Sequence, residues 1–244
     1  MLIYNVIILI FLYLVLPFNI YAGQYLTGKI ETPSLENQHV QFLYYYPEKL
    51  NNSGFDVNIL VCVGALNSLG IEFMASPWTD FADKNGIILL APGFQHNQND
   101  WEKQESYQYP DVWSGDVLIK MLCIASPDTN VKNFNLYIFG FSAGAQFVQR
   151  FALLWPEITK AVYIHAAEGY TFPETKIDTQ FIISIGEKDT ERLSSAKNFH
   201  QVCLGTGIKC NLKIFPGLGH EITPVQFNTA LTFFKSIMIN STHY

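Results

Sequence analysis

Charged side chains are scarce in this sequence, and those present form no basic cluster. Lysine and arginine number 15 against 21 aspartates and glutamates, so the net charge is −6 and only 15% of residues are charged. A protein that binds a polyanion usually carries a basic patch on one face. The composition therefore argues against a nucleic-acid partner and indicates no particular charge on a substrate.

Linkers, internal repeats and zinc-binding spacings are also missing from the sequence. The chain has 244 residues, of which 49% are hydrophobic, and this is enough for one substantial core. The four cysteines and six histidines follow no spacing typical of a zinc site. We therefore expect a single domain over residues 24–244 that needs no metal and no cofactor.

The N-terminal segment has no charged residue over a long apolar run. Residues 2–18 are almost wholly apolar, and small residues at Ala22 and Gly23 offer a place for cleavage. The run is nearly long enough to cross a bilayer, and no lysine or arginine accompanies it. We expect residues 1–22 to be a secretory signal peptide or, alternatively, an uncleaved membrane anchor. Either places the folded domain outside the cytoplasm, and only a retained anchor would bring it to a membrane.

Export would permit a disulfide bond. Cys203 and Cys210 bracket the end of a predicted helix and the start of the next predicted strand, so they are the candidate pair. Cys62 falls in an apolar strand pattern and Cys123 in a helical one. We expect these last two to be buried thiols.

Apolar runs alternate with helical patterns along most of the chain. This alternation predicts an α/β fold, with a mainly parallel sheet covered by helices on both faces. A helix is expected between each pair of consecutive strands from residue 134 to residue 215, and the long segment 92–113 is expected to be an active-site loop. The predicted strands are residues 39–46, 57–63, 87–91, 134–139, 161–165, 181–185 and 211–215.

A Gly-x-Ser-x-Gly pentapeptide, residues 140–144, stands between the predicted strand 134–139 and a helical pattern at 145–154. A sharp turn from strand to helix exposes one side chain at the sheet edge, and glycines on either side leave room for the neighbouring backbone. Ser142 would also lie at a helix N-terminus, where N–H groups and the helix dipole favour negative charge. The pattern therefore predicts a nucleophilic serine.

A serine nucleophile needs a base, and the base needs an acceptor that holds its tautomer. Asp189 and His220 each follow a predicted strand directly. The strand ends of a parallel sheet meet at one edge, so both should project beside Ser142. Glu168 is an alternative acid. His165 also ends a strand, but a base there would precede the acid, so we expect a core or rim histidine.

Acyl transfer through a serine also needs two N–H groups directed at the oxyanion of the intermediate. The residue after the nucleophile, Ala143, is expected to supply the first. The second is expected from the loop after residues 57–63, where Ala65 is the candidate and Leu66 its close rival.

The whole pattern resembles a family of secreted esterases that includes polyhydroxybutyrate depolymerases and feruloyl or acetylxylan esterases, within the α/β-hydrolase superfamily. The segments that carry the resemblance are VCVGALNS, WTDFADKNGIILLAPGF, SGDV, IFGFSAGA, IGEKD and GLGHE. The resemblance implies ester hydrolysis through an acyl-serine, with Ser142, Asp189 and His220 as triad and Ala143 and Ala65 at the oxyanion hole. The sequence departs from the family at Val63-Gly64, where a His-Gly pair is usual.

Candidates for substrate contact are the aromatic residues of the 92–113 segment, above all Trp101 and Trp113, since rings offer a large contact area. Alternatively, these residues pack the loop onto the sheet. Two other functions fit the same residues. An acyltransferase or peptidase would use the same triad, and a non-catalytic binding module of the cell envelope would keep the fold without an activated serine.

Overall fold

One sheet of eight strands organises the protein. The computed structural model describes residues 23, 25–31, 39–50, 56–66, 78–94, 106–126 and 130–241, so the predicted leader at 1–22 lies outside the described residues. The strands are β1 (Tyr25–Glu31), β2 (His39–Tyr45), β3 (Val57–Val63), β4 (Ile88–Gly93), β5 (Phe134–Phe141), β6 (Thr159–His165), β7 (Gln180–Gly186) and β8 (Cys210–Phe215).

The strand order is β1-β2-β4-β3-β5-β6-β7-β8. The strands from β4 through β8 in that order pair in parallel, while β1, β2 and β4 pair antiparallel at one end. The carboxyl ends of β5, β6, β7 and β8 therefore lie at the same edge, which is where such sheets carry their sites.

Helices cover both faces of the sheet. They are α1 (Trp78–Asn85), α2 (Gly115–Ala125), α3 (Ala143–Leu154), α4 (Thr190–Gly205) and α5 (Pro224–Ser241). Buried residues of α2, α3 and α4 pack in one hydrophobic layer, and those of α1 and α5 pack in the other. No helix among the described residues combines the length and the apolar character needed to span a membrane.

The burial of strand β3 explains why its residues form a continuous apolar run in the sequence. Ile59 and Val61 belong to one hydrophobic layer, whereas Leu60 and Cys62 belong to the other. A strand covered on both faces cannot alternate between apolar and polar residues. The predicted α/β fold, with its mainly parallel sheet and helices on both faces, is confirmed.

Two features of the fold differ from the prediction. Strand β1 was not expected, because its alternating side chains are mostly exposed and give no apolar run. The prediction of a helix between β6 and β7 is wrong, because residues 166–179 contain no helix. That connection includes Gly169 and Pro173, which interrupt helical structure.

Candidate active site

Ser142 occupies a sharp turn between β5 and α3. Its backbone has φ 55° and ψ −118°, outside the regions that non-glycine residues normally adopt. The Ser142 N–H donates to the carbonyl of His165 over 2.9 Å, and the Ser142 carbonyl accepts from the N–H of Gln146 over 3.2 Å. The surrounding backbone thus holds a conformation that is costly in isolation, which is a common property of functional sites.

The glycine two residues after the serine permits a close approach between the turn and the loop after β3. A Cβ at Gly144 would lie 2.3 Å from the carbonyl oxygen of Gly64 and 2.4 Å from that of Val63. Both neighbours are backbone atoms, so they cannot move aside cheaply. Glycine at this position therefore brings the residues that follow β3 against the N-terminus of α3.

Ser142, His220 and Asp189 form a hydrogen-bonded series. The Ser142 Oγ lies 3.0 Å from Nε2 of His220, and Nδ1 of the same ring lies 2.8 Å from Oδ2 of Asp189. Asp189 is only 4% exposed, whereas the side chain of His220 is 33% exposed. The arrangement gives the serine a base that solvent can reach and gives the base a buried acceptor.

The turns that carry the acid and the base are packed on each other. The Lys188 N–H donates to the Leu218 carbonyl over 2.8 Å, and the Gly217 N–H donates to the Glu187 carboxylate over 2.9 Å. A Cβ at Gly186 would lie 2.3 Å from the carbonyl oxygen of Gly219. The two turns therefore hold Asp189 and His220 as one unit at the end of β7 and β8.

Arg192 lies between the two acidic side chains that were candidates for the acid. Its Nη1 is 3.0 Å from Oδ1 of Asp189, and its Nη2 is 3.4 Å from Oε2 of Glu168. Asp189 therefore uses one oxygen for Arg192 and the other for His220, while Glu168 is largely exposed at 69% of its side chain. The geometry favours Asp189 over Glu168 as the acid.

The two backbone groups expected at an oxyanion hole lie on the segments that Gly144 brings together. Ala143 is the first residue of α3, so its N–H belongs to the first turn, which has no intrahelical acceptor. Ala65 follows Gly64 in the loop after β3 and is half-buried, as is its rival Leu66. Their role in binding an oxyanion stays a prediction.

Tyr107 supports this loop and was not assigned that role from sequence. Its hydroxyl donates to the Gly64 carbonyl over 3.5 Å, and its ring stacks on Phe94 with centroids 5.1 Å apart. Burial raises the pKa of Tyr107, which keeps the phenol protonated as a donor. The loop after β3 thus has a contact with Tyr107, while residue 63 is valine and not the histidine that is usual in the family the sequence resembles. No sequence spacing would have linked residue 107 to residue 64.

Phe141 also lies beside the series and was not assigned a role from the sequence. The Phe141 ring stacks on His220 with centroids 5.3 Å apart and on His165 with centroids 5.4 Å apart. His165 is fully buried, as expected of a core histidine, and burial lowers its pKa.

The remaining predicted residues are two tryptophans of the segment 92–113 and two cysteines. Trp101 falls in the segment 95–105, which the structure does not describe. Trp113 is 5% exposed and meets Phe94 edge-on at 6.0 Å, which fits packing of the loop; its contact with substrate stays a prediction. Cys203 and Cys210, the candidate pair for a disulfide, are both buried and are free cysteines in this structure. The described residues contain no group of three or more potential metal ligands.

Comparison with known proteins gives one similar curated sequence and many similar structures. The chain is 24% identical over 135 residues to a feruloyl esterase B of Thermothelomyces thermophilus, a match over 54% of this chain and 45% of the relative. The chain thus spans less than half the length of that relative. No protein-family model matches the chain.

Two of the similar solved structures align over most of both chains. A ferulic acid esterase matches with a TM-score of 0.65 at 13% identity, over 88% of this chain and 96% of its own. An S-formylglutathione hydrolase from Agrobacterium tumefaciens matches with a TM-score of 0.65 at 12% identity, over 88% and 94%. Together with the strand order and the serine turn after β5, these likenesses show that the chain has the α/β-hydrolase fold.

Proposed function

We propose that the protein is a serine esterase that hydrolyses carboxylic esters through an acyl-serine intermediate. The observation that carries this proposal is the hydrogen-bonded series from Ser142 through His220 to the buried Asp189. A serine hydroxyl is a weak nucleophile by itself, and a base within hydrogen-bond distance activates it.

The tautomer of His220 follows from its two partners. The Asp189 carboxylate can only accept a hydrogen bond, so Nδ1 carries the hydrogen that is shared over 2.8 Å. The Nε2 atom is then free to accept the Ser142 proton over 3.0 Å. His220 takes that proton as Ser142 Oγ attacks the ester carbonyl, and it then donates the proton to the departing alcohol.

The negative charge of the tetrahedral intermediate would develop beside the N-terminus of α3. The N–H of Ala143 is assigned to bind it, because this residue follows the nucleophile directly and opens the helix. The N–H of Ala65 is assigned as the second donor. Each such donor contributes about 3 kcal/mol to lowering the barrier.

Hydrolysis of the acyl-serine repeats these steps with water. His220 removes a proton from water, the resulting hydroxide attacks the acyl carbon, and the proton returns to Ser142 Oγ as the carboxylic acid leaves. The partial exposure of the His220 side chain, 33%, leaves a path for that water.

The substrates we assign are feruloyl, acetyl and other small esters, with hydroxyalkanoate polyesters as a further class. The feruloyl ester comes first because the similar curated sequence is a feruloyl esterase. Acyl transfer to another acceptor, or peptide cleavage, would use the same triad and would differ only in the group that attacks or leaves.

Hydrolysis of p-nitrophenyl acetate and methyl ferulate by the full chain tests this proposal. We expect release of the free acid, and we expect Ser142→Ala and His220→Ala to lose turnover while remaining folded. Trials with an added alcohol and with a peptide separate acyl transfer and peptide cleavage from hydrolysis. Turnover by Ser142→Ala that equals the wild-type rate would remove the serine mechanism.

A further inference from the structure

His165 contacts the backbone of the nucleophile turn directly. It is the last residue of β6, it is fully buried, and its carbonyl accepts the N–H of Ser142 over 2.9 Å. The adjacent β5 ends at Phe141, whose ring lies against the His165 ring with an interplanar angle of 21°. A buried polar ring in this position is expensive unless its nitrogens are bonded.

Both ring nitrogens of His165 are bonded, and the partners fix the tautomer. Nε2 lies 2.8 Å from the carbonyl oxygen of Glu221, which can only accept, so Nε2 carries the hydrogen. Nδ1 lies 2.8 Å from Oγ of Ser184, and this hydroxyl can donate to it. The Ser184 carbonyl is also 3.2 Å from Nδ1, but a hydrogen bond to it would require a doubly protonated ring. Burial lowers the pKa of His165 and disfavours that charged form.

The Glu221 carbonyl belongs to the residue that follows the base. The turn from Pro216 to His220 is mostly exposed and contains two glycines, one of them at φ +74°. Such a turn loses considerable conformational entropy when it is held in one arrangement. The hydrogen bond from His165 anchors its C-terminal side to the buried sheet.

A second contact joins the same two histidines through an aromatic ring. The Phe141 ring stacks on both, with centroid distances of 5.4 Å to His165 and 5.3 Å to His220 and interplanar angles of 21° and 27°. His165 thus contacts the same phenyl ring on which the His220 ring rests. One buried residue, His165, therefore contacts both the phenyl ring that stacks on His220 and the backbone of the residue that follows His220.

We propose that His165 is a positioning residue that holds His220 in hydrogen-bond geometry with Ser142, through its Nε2–H to the Glu221 carbonyl and through the Phe141 ring. This inference rests on the proposed function, in which His220 is the base. His165 does not touch the reacting atoms with its side chain. Its loss therefore lowers the fraction of molecules in which His220 faces Ser142, so kcat falls while KM changes little.

Three substitutions separate the two hydrogen bonds of the ring. His165→Gln keeps an amide nitrogen that can reach the place of Nε2 and donate to Glu221, His165→Asn reaches only the place of Nδ1, and His165→Leu keeps neither. We expect kcat to fall about 100-fold in the leucine and asparagine variants, the loss that follows from a base displaced by about 1 Å. The glutamine variant should recover most of the lost kcat. In all three variants KM should stay within about twofold of wild type.

Folding is checked separately from activity. His200→Leu, on α4 and outside the site, is the matched control and should keep the wild-type kcat. Near-ultraviolet circular dichroism identifies folded variants, and only these are compared. A folded His165→Leu or His165→Asn with wild-type kcat overturns the proposal, as does a folded glutamine variant no better than leucine.

A measurement on the wild-type protein keeps the proposal testable if the variants fail to fold. Nitrogen NMR of protein labelled with 15N-histidine should show one buried, slowly exchanging ring with its hydrogen on Nε2. The same resonance in a Ser142→Ala background should be unchanged. A hydrogen on Nδ1 alone would leave the Glu221 carbonyl without its donor and would overturn the proposal.

The proposed function and this inference fail in different ways. An inactive wild-type enzyme, as poor as Ser142→Ala toward p-nitrophenyl acetate, is a failure of the proposed function. An active wild-type enzyme whose folded His165→Asn variant has the same kcat is a failure of the inference alone. The expected result is an active wild type, a reduced asparagine variant and recovery by glutamine.

Discussion

Arg192 donates to Asp189 from three residues further along the chain, with Nη1 placed 3.0 Å from Oδ1. The carboxylate side chain is only 2% exposed and that of the arginine 18%. A buried carboxylate that accepts from both an arginine and a histidine has most of its hydrogen-bond capacity used. Arg192 therefore stabilises the charged acid on which the proposed base depends.

Replacing Arg192 by methionine should lower both the stability and the activity of the enzyme. The loss of one hydrogen bond to a buried charged group lowers the free energy of unfolding by about 1.5–3 kcal/mol. Denaturant unfolding measures the stability, and kcat for p-nitrophenyl acetate measures the activity. The control is Glu168→Gln, which alters the exposed acid on the other side of Arg192 and should change stability by less than about 0.5 kcal/mol. Equal effects of the two substitutions would contradict the role given to Arg192.

The strained backbone of Ser142 predicts a difference between two inactive variants. At φ 55°, alanine keeps the strain of serine, whereas glycine adopts such a conformation readily. Ser142→Gly should therefore unfold at a higher denaturant concentration than Ser142→Ala, by about 1 kcal/mol in free energy. Both should be inactive. If Ser142→Ala proved the more stable of the two, the turn would not store strain at this residue.

Gly144→Ala should separate the serine turn from the loop after β3. The added methyl group would lie within 2.4 Å of two carbonyl oxygens, and overpacking of this kind costs about 1–3 kcal/mol. Activity should fall more than stability alone explains, because the segments that carry Ala143 and Ala65 move apart. Gly205→Ala is the control, since nothing lies within 4 Å of its Cβ position. A Gly144→Ala enzyme with wild-type kcat would show that turnover does not need the close contact between the serine turn and the loop after β3.

Tyr107→Phe should lower kcat by removing the hydroxyl that contacts the Gly64 carbonyl. It should also change how stability depends on pH. Burial raises the pKa of Tyr107 above its ordinary value of 10.0 in the folded protein. The unfolded phenol therefore ionises first as pH rises. The contribution of Tyr107 to the free energy of unfolding is fully present below pH 10 and is lost as pH rises beyond it. Urea unfolding between pH 8 and pH 11 should show a smaller alkaline loss for Tyr107→Phe than for wild type; an identical loss would contradict this prediction.

The sequence predicted those parts of the molecule that depend on local pattern. Strand β3 was expected at its observed bounds because burial on both faces leaves an unbroken apolar run. The order Ser142, Asp189, His220 placed all three residues at strand ends, where the topology of a parallel sheet gathers them. Strand β1 gave no such run, because it lies at the sheet edge and exposes most of its side chains.

The supporting contacts could not be predicted because they join residues far apart in sequence. Tyr107 and Gly64 are 43 residues apart, and His165 and Glu221 are 56 residues apart. Neither pair has a spacing that a motif could encode, since each depends on how a loop packs on the finished sheet. Arg192 is near Asp189 in sequence, but its bond depends on the path of the turn before α4.

Labelling with a fluorophosphonate tests the central claim most directly, because only an activated serine reacts with this probe. The proposal predicts one adduct per molecule, mapped to Ser142 by peptide mass spectrometry, and its loss in a folded His220→Ala variant. A well-folded wild-type protein without an adduct would contradict it. That result would favour a non-catalytic binding module, with Val63 in place of the expected histidine as the leading explanation.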